Sequence, residues 1–313
     1  MKRALVFPGQ GSQQVGMGKE LAAAFPIARM VFEEVDDALK FKLSEIIFNG
    51  PEYELMLTEN AQPAIMATSM AILSVMEHEA AFRPAIYASY LAGHSLGEYT
   101  ALAAGKAISL ADTARLLRLR GQEMQKAVPE GKGAMAAILG LDFAKVAAVV
   151  AQAQSAGVCA IANDNAPGQV VVSGEKDAVE RAVELAKEQG ASRAVMLAVS
   201  APFHCPLMFP AGIAMEEALR TAVINAPILP IVANVRASEV HEPKEIRPLL
   251  VEQVTGMVRW RESMHYLAAQ GVTEVLEIGV GKVLCGLFKR TEKNIAARCI
   301  GSAADIEAFD KVA

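Results

Sequence analysis

The sequence predicts an α/β protein in which a larger α/β domain is interrupted by a compact βαββαβ insert. Three observations carry this expectation. The chain opens on an apolar run, Ala4 to Phe7, that is cut by Pro8-Gly9 and followed, after a glycine-rich loop, by a helical pattern from about Met17; that is strand, loop, helix. A second apolar run over 85–93 ends in a turn at Gly93 and resumes as helix over 96–104. Between Gly133 and Val199 the order changes: strand 134–141, helix 143–156, strand 158–163, a turn through Pro167-Gly168, strand 169–173, helix 177–189, strand 191–199. This is the split-βαβ order of a ferredoxin-like unit.

The remaining elements fit around these. Residues 61–79 form a long apolar helix with Pro63 tolerated in its first turn. A further helix runs over 110–126 and is closed by Pro129, Gly131 and Gly133. In the insert, Ala178, Val179, Ala182, Val183 and Ala186 share one face of their helix. After it come proline-rich loops, helices near 247–254 and 261–269, a strand over 273–278 and a glycine-broken segment over 279–289. The expected division is 1–130 with 200–313 as the main domain, and 131–199 as the inserted subdomain.

Composition narrows the function classes. Of 313 residues 53% are hydrophobic and 21% charged, the profile of a chain that folds around a substantial core. Thirty Lys and Arg against 35 Asp and Glu leave a net charge of −5, so no global positive field exists to hold nucleic acid or an anionic membrane. The four cysteines, Cys159, Cys205, Cys285 and Cys299, show neither a CxxC pair nor metal-ligand spacing and read as reduced thiols. No run approaches a membrane span, and the opening apolar run is too short for a signal-peptide core. A cytoplasmic protein without metal or cofactor is expected.

Gly93-His94-Ser95-Leu96-Gly97 fits G-x-S-x-G, in which glycines allow a sharp strand-to-helix turn that exposes a serine hydroxyl. The bare pattern is common, and a capping serine in a plain glycine turn is the alternative; the strand before it and the alanine-rich helix after it are the context a nucleophile requires. Such a serine needs a base. Among five histidines, His78, His241 and His265 lie in charged surroundings, and His94 is too close along the chain to turn toward its neighbour. His204 remains, in the apolar loop Ser200-Ala201-Pro202-Phe203-His204-Cys205-Pro206.

Arg120 falls between Leu116 and Met124, inside the apolar arc of its helix, whereas Arg115 and Arg118 fall on or toward the polar side. A guanidinium there must meet an anion, either an internal carboxylate or one that belongs to a substrate. Two glycine-rich stretches are not nucleotide loops. Gly9-Gln10-Gly11-Ser12-Gln13-Gln14 has Gln where a dinucleotide fingerprint needs its third glycine, and Gly279-Val280-Gly281-Lys282-Val283 lacks the upstream glycine and the Ser/Thr of a Walker A loop. The first can still offer a backbone N–H to a reacting oxyanion.

Gly9-Gln10-Gly11-Ser12-Gln13, Gly93 to Tyr99, Arg118-Leu119-Arg120-Gly121, Asn163 to Gln169 and Phe203-His204 together resemble the malonyl-CoA:acyl carrier protein transacylase family, in order and over nearly the whole chain. The resemblance implies an α/β-hydrolase-like catalytic domain that carries a ferredoxin-like subdomain. It implies Ser95 as the acylated nucleophile, His204 as its base and Arg120 as the clamp on the malonyl carboxylate. The main-chain N–H groups of Gln10 and Leu96 would form the oxyanion hole, and the backbone carbonyl of Gln253 would orient the histidine in place of an acid. Malonyl-CoA and acyl carrier protein are the implied partners of a monomer that serves fatty acid biosynthesis. Lys289-Arg290 with Lys293 is a candidate carrier-protein patch. Ala201-Pro202 is an unfamiliar lead-in to Phe203-His204, and Val280 stands where the family has a proline. A serine hydrolase, a non-catalytic docking module and a subunit of a malonate-degrading complex are the competing readings.

Overall fold

Alternating burial along the first strand organises the molecule. In the computed structural model, which describes residues 2–310, β1 (Lys2–Phe7) turns Leu5 and Phe7 into one core and Ala4 and Val6 into another, so both faces of its sheet are covered. The other strands are β2 (Tyr90–Gly93), β3 (Gly133–Leu139), β4 (Cys159–Ala166), β5 (Gln169–Glu175), β6 (Arg193–Met196), β7 (Ile231–Ala233), β8 (Ser238–Val240), β9 (Val272–Ile278) and β10 (Ala296–Ile300).

Six of them form one sheet in the order β10-β9-β1-β2-β7-β8, parallel except for β8 at the edge. Helices Thr58–Glu79, Leu96–Ala104 and Leu110–Lys126 pack on one face; Trp260–Ala269 and Val283–Thr291 pack on the other. The rest, β4-β5-β3-β6, pair antiparallel throughout and carry helices Phe143–Ala153 and Lys176–Glu188 over their own core. The expected element order of the insert is therefore present, with its boundaries shifted by a few residues.

At β4 the antiparallel sheet is clasped to the segment that leads into helix Trp260–Ala269. Val258 donates to the Ala162 carbonyl at 2.8 Å and accepts from the Asp164 N–H at 3.0 Å. Beside them the Asp164 carboxylate, 1% exposed, takes the Nε of Arg261 at both oxygens.

Several expectations need correction. The long helix begins at Thr58, not 61, which puts Pro63 in its second turn. The Glu59 carbonyl freed by proline's missing N–H is met instead by Arg118 Nη1 at 3.4 Å. Arg118 is accordingly half-buried, bonded also to Asn60 and stacked over Phe41. Residues 85–87 belong to a short helix, Pro84–Tyr87, because Pro84 at its first position is already set for helical φ. The proline-rich region holds a full helix, Phe209–Thr221, with Pro210 in its first turn. Strands β7 and β8 are too short to show a period, and β10 and the helix Ala303–Asp310 lie beyond the last element expected. Among the described residues no helix is long and apolar enough to cross a membrane.

Candidate active site

The serine turn is built by exclusion of side chains. Ser95 sits between β2 and the helix Leu96–Ala104 with φ 54° and ψ −110°, a backbone conformation unfavourable for a residue with a Cβ. A Cβ on Gly93 would lie 1.8 Å from the Gly97 carbonyl oxygen, and one on Gly97 would lie 2.4 Å from that of Phe7. Both motif glycines are thus required by close approach of backbone to backbone. The strained turn is held by Asn234, which follows β7: its Oδ1 accepts from the Ser95 N–H and its Nδ2 donates to the Gly93 carbonyl, each at 2.7 Å.

His204 reaches this serine from the loop after β6. Its Nε2 lies 2.7 Å from Ser95 Oγ, while Nδ1 faces the carbonyl oxygens of Gln253 at 2.9 Å and Gly256 at 3.1 Å. Two acceptors at Nδ1 place the proton there and leave the Nε2 lone pair for the serine hydroxyl. Burial, then the positive charge of Arg120, then His94, push the imidazole down to about 3, so it is neutral at physiological pH and able to take a proton.

Arg120 is 1% exposed and has no carboxylate partner among the described residues. Its Nη1 donates to Gln62 Oε1 at 2.7 Å, and Nη2 donates to Gln253 Oε1 at 2.9 Å and to Ser95 Oγ at 3.1 Å; Nε has no partner among the described residues. The internal ion pair left open by the sequence is not formed. Neutral amides orient the guanidinium without cancelling its charge, beside the Ser95 hydroxyl. Such a group is poised for an incoming carboxylate.

Beneath these groups lies Glu98, 2% exposed, whose Oε2 accepts from the Asn234 main-chain N–H at 3.0 Å and from Gln253 Nε2 at 2.7 Å. Burial raises its carboxyl to about 7, against the lowering effect of these two donors and of Arg120. Gln253 Nε2 also donates to the Ser95 carbonyl at 3.0 Å.

A cavity of about 340 Å³ opens above Ser95, walled by Gln10, Gln62, Arg120 and His204 from one sheet's layer and by Met135 and Asn163 from the other's. The main-chain N–H groups of Gln10 and Leu96 donate to no described residue. A larger cavity, about 1240 Å³, lies beside the loops after β1 and β9 and includes none of Ser95, His204 and Arg120.

Of the residues singled out from the sequence, Ser95, His204, Arg120 and Gln10 line this cavity, the Gln253 carbonyl lies behind His204 at Nδ1, and Leu96 begins the helix that follows Ser95. His78, His241 and His265 are exposed, and the four cysteines are free thiols. His94 is turned away from Ser95 and bonds Asn165 at 2.8 Å, which accounts for part of the Asn163 to Gln169 motif. Gln62, Glu98, Asn234 and the Gln253 side chain were missed. A lone buried amide leaves no periodic signal, although Gln62 within an apolar helical run was the one visible anomaly.

A serine on a strained turn, a neutral histidine oriented by carbonyls and a guanidinium without a carboxylate partner among the described residues are the parts that serine-dependent acyl transfer requires. The family model described as acyl transferase domain matches residues 4–308, and the chain belongs to that family. It falls among the malonyl CoA-acyl carrier protein transacylases: it is 45% identical to the one from Bacillus subtilis (strain 168), over 98% of this chain and 95% of that one, and 44% identical to the one from Escherichia coli (strain K12), over 97% of each. Among solved structures, the acyl-carrier-protein-S-malonyltransferase from Bartonella henselae superposes with a TM-score of 0.97 at 54% identity, covering 100% of this chain and 99% of that one. A malonyl-transacylase in complex with a type II PKS acyl-carrier protein does so with 0.96 at 41% identity, covering 100% of both chains.

Proposed function

We propose that this chain is a malonyl-CoA:acyl carrier protein S-malonyltransferase of fatty acid biosynthesis, working in the cytoplasm through a malonyl ester on Ser95. The observation that carries the reading is Arg120: a buried guanidinium without a carboxylate partner, 3.1 Å from Ser95 Oγ. An esterase for neutral acyl chains has no use for that charge.

His204 Nε2 takes the proton of Ser95 as Oγ attacks the thioester carbonyl of malonyl-CoA. The oxyanion develops against the N–H groups of Gln10 and Leu96, which have no other described acceptor. On collapse the C–S bond breaks, His204 returns the proton to the leaving CoA thiolate, and a malonyl-serine ester remains. The phosphopantetheine thiol of the carrier protein then gives its proton to His204 and attacks the ester; the ester C–O bond breaks as His204 returns the proton to Ser95 Oγ, leaving the malonyl thioester and the free serine. Throughout, Arg120 holds the distal carboxylate, so one site serves both donors in a ping-pong sequence.

We read the six-stranded sheet with its helices, 1–130 and 200–313, as an α/β-hydrolase-like catalytic domain, and 131–199 as a ferredoxin-like subdomain, a reading supported by the strand order β4-β5-β3-β6. Lys289, Arg290 and Lys293, all exposed at one corner, remain the candidate patch for an acidic carrier protein. Intact-mass measurement after brief exposure to malonyl-CoA tests the function: one malonyl group is expected on the native chain and none on Ser95→Ala. A malonyl adduct on the alanine variant would overturn the assignment of the nucleophile.

A further inference from the structure

We propose that Glu98 is a positioning residue for the carboxylate clamp, acting on Arg120 through the side chain of Gln253. The inference rests on the malonyl-transfer reading above.

Gln253 is fully buried, and each polar hydrogen and the oxygen of its amide has one task. Its Nε2 donates to Glu98 Oε2 at 2.7 Å and to the Ser95 carbonyl at 3.0 Å; its Oε1 accepts from Arg120 Nη2 at 2.9 Å. An amide has nearly the same shape whichever way its oxygen and nitrogen point, so its partners decide the orientation. Arg120 can only donate and the Ser95 carbonyl can only accept. Glu98 Oε2 supplies the second acceptor, and with it both hydrogens of the amide are committed, leaving Oε1 no direction but toward the guanidinium.

Without that acceptor one buried N–H is orphaned, which is costly enough that the amide turns to find another partner and releases Nη2. Among the described residues no other carboxylate contacts this group, and Glu98 makes no hydrogen bond to Ser95 Oγ or to His204. The same Oε2 takes the main-chain N–H of Asn234, whose side chain braces the Ser95 turn. One carboxylate oxygen therefore ties the nucleophile's brace to the clamp's brace, while Oε1 makes neither bond.

This difference between the two oxygens sets the test. Glu98→Gln retains an acceptor oxygen and loses the charge; Glu98→Leu loses both; Gln253→Met keeps the main-chain carbonyl that orients His204 and removes the amide. The quantity to follow is the ratio of kcat/KM for malonyl-CoA over acetyl-CoA in variants shown to be folded. Glu98→Gln is expected to hold the ratio within about threefold, whereas Glu98→Leu and Gln253→Met each lower it roughly 10- to 100-fold, the range of an orphaned buried hydrogen bond. The Glu98→Leu, Gln253→Met pair should fall no further than either single change, because both act on one contact.

Equal losses for the two thioesters, an unchanged ratio in Gln253→Met, or multiplying losses in the pair would overturn the proposal. So would a Glu98→Gln ratio as low as that of Gln253→Met, since charge alone would then be the agent. Where Glu98→Leu does not fold, Glu98→Ala takes its place in the same comparison, and an unchanged ratio in the folded variant that lacks the acceptor overturns the proposal. Failure of the wild type to form a malonyl adduct would instead strike the function itself.

Discussion

At Arg120 the sequence leaves two readings and the surroundings choose between them. A guanidinium that served the fold would face a carboxylate; this one faces two amides and a serine hydroxyl. Arg120→Ala should therefore lower kcat/KM for malonyl-CoA by roughly 10²-fold or more, the cost of leaving a carboxylate unpaired in a buried site, and affect acetyl-CoA far less. Parallel losses for both thioesters, with a lowered melting temperature, would assign Arg120 to the fold. His204 carries a second prediction. Its imidazole is held down to about 3 by burial and then by the nearby Arg120 charge, and in the proposed mechanism the neutral form is the base. Activity is thus retained as pH falls through the ordinary histidine value of 6.5 and is lost only well below it. A bound malonyl carboxylate offsets the Arg120 charge and moves the pKa upward. The acid limb of kcat, which reports the complex, should lie at higher pH than that of kcat/KM, which reports the free enzyme. A kcat/KM limb centred near the ordinary imidazole value would contradict the environment described for His204.

Helix Leu110–Lys126 presents Arg120 to the site only because its next residue lets it come close to helix Thr58–Glu79. A Cβ on Gly121 would lie 2.5 Å from Glu59 Cα and 2.6 Å from the Thr58 carbonyl oxygen, both backbone atoms that cannot step aside. Gly121→Ala gains up to about 1 kcal/mol in helix propensity, and overpacking at such a contact costs about 1–3 kcal/mol. The clash wins, and the helices separate at the point where Gln62 and Arg120 meet. Expected outcomes are a lower melting temperature and a reduced kcat/KM for malonyl-CoA in the same variant. A stabilised protein with unchanged kinetics would show that the helix pair has slack there.

Across the molecule, the cavity has walls from both sheets, so its shape depends on the clasp at β4. Asp164 is buried and its charge is met by Arg261, which keeps 27% of its side-chain surface in water. Removing one partner of a fully buried pair costs about 3–5 kcal/mol; partial exposure of Arg261 brings the expectation for Arg261→Met to about 2–4 kcal/mol. Denaturant unfolding would measure it, and a change within about 0.5 kcal/mol, typical of a surface substitution, would show that the backbone bonds at Val258 suffice.

Local features were legible along the chain. Periodicity and glycine spacing marked the serine turn, the βαββαβ order and the long helices, since each depends on residues near one another along the chain. A charged residue inside an apolar arc marked Arg120, because burial of charge leaves a trace in one helix. The company these residues keep was not legible there, because it is set by packing between distant segments. Asn234 meets Ser95 from 139 positions away, and Gln253 bonds Arg120 across 133. Such amides carry no pattern of their own; their meaning comes from the partner, and the partner is brought by the pairing of β2 with β7 and by the packing of helices over that sheet. The same reason hid β7 and β8, three residues each, whose place is set by the strands beside them.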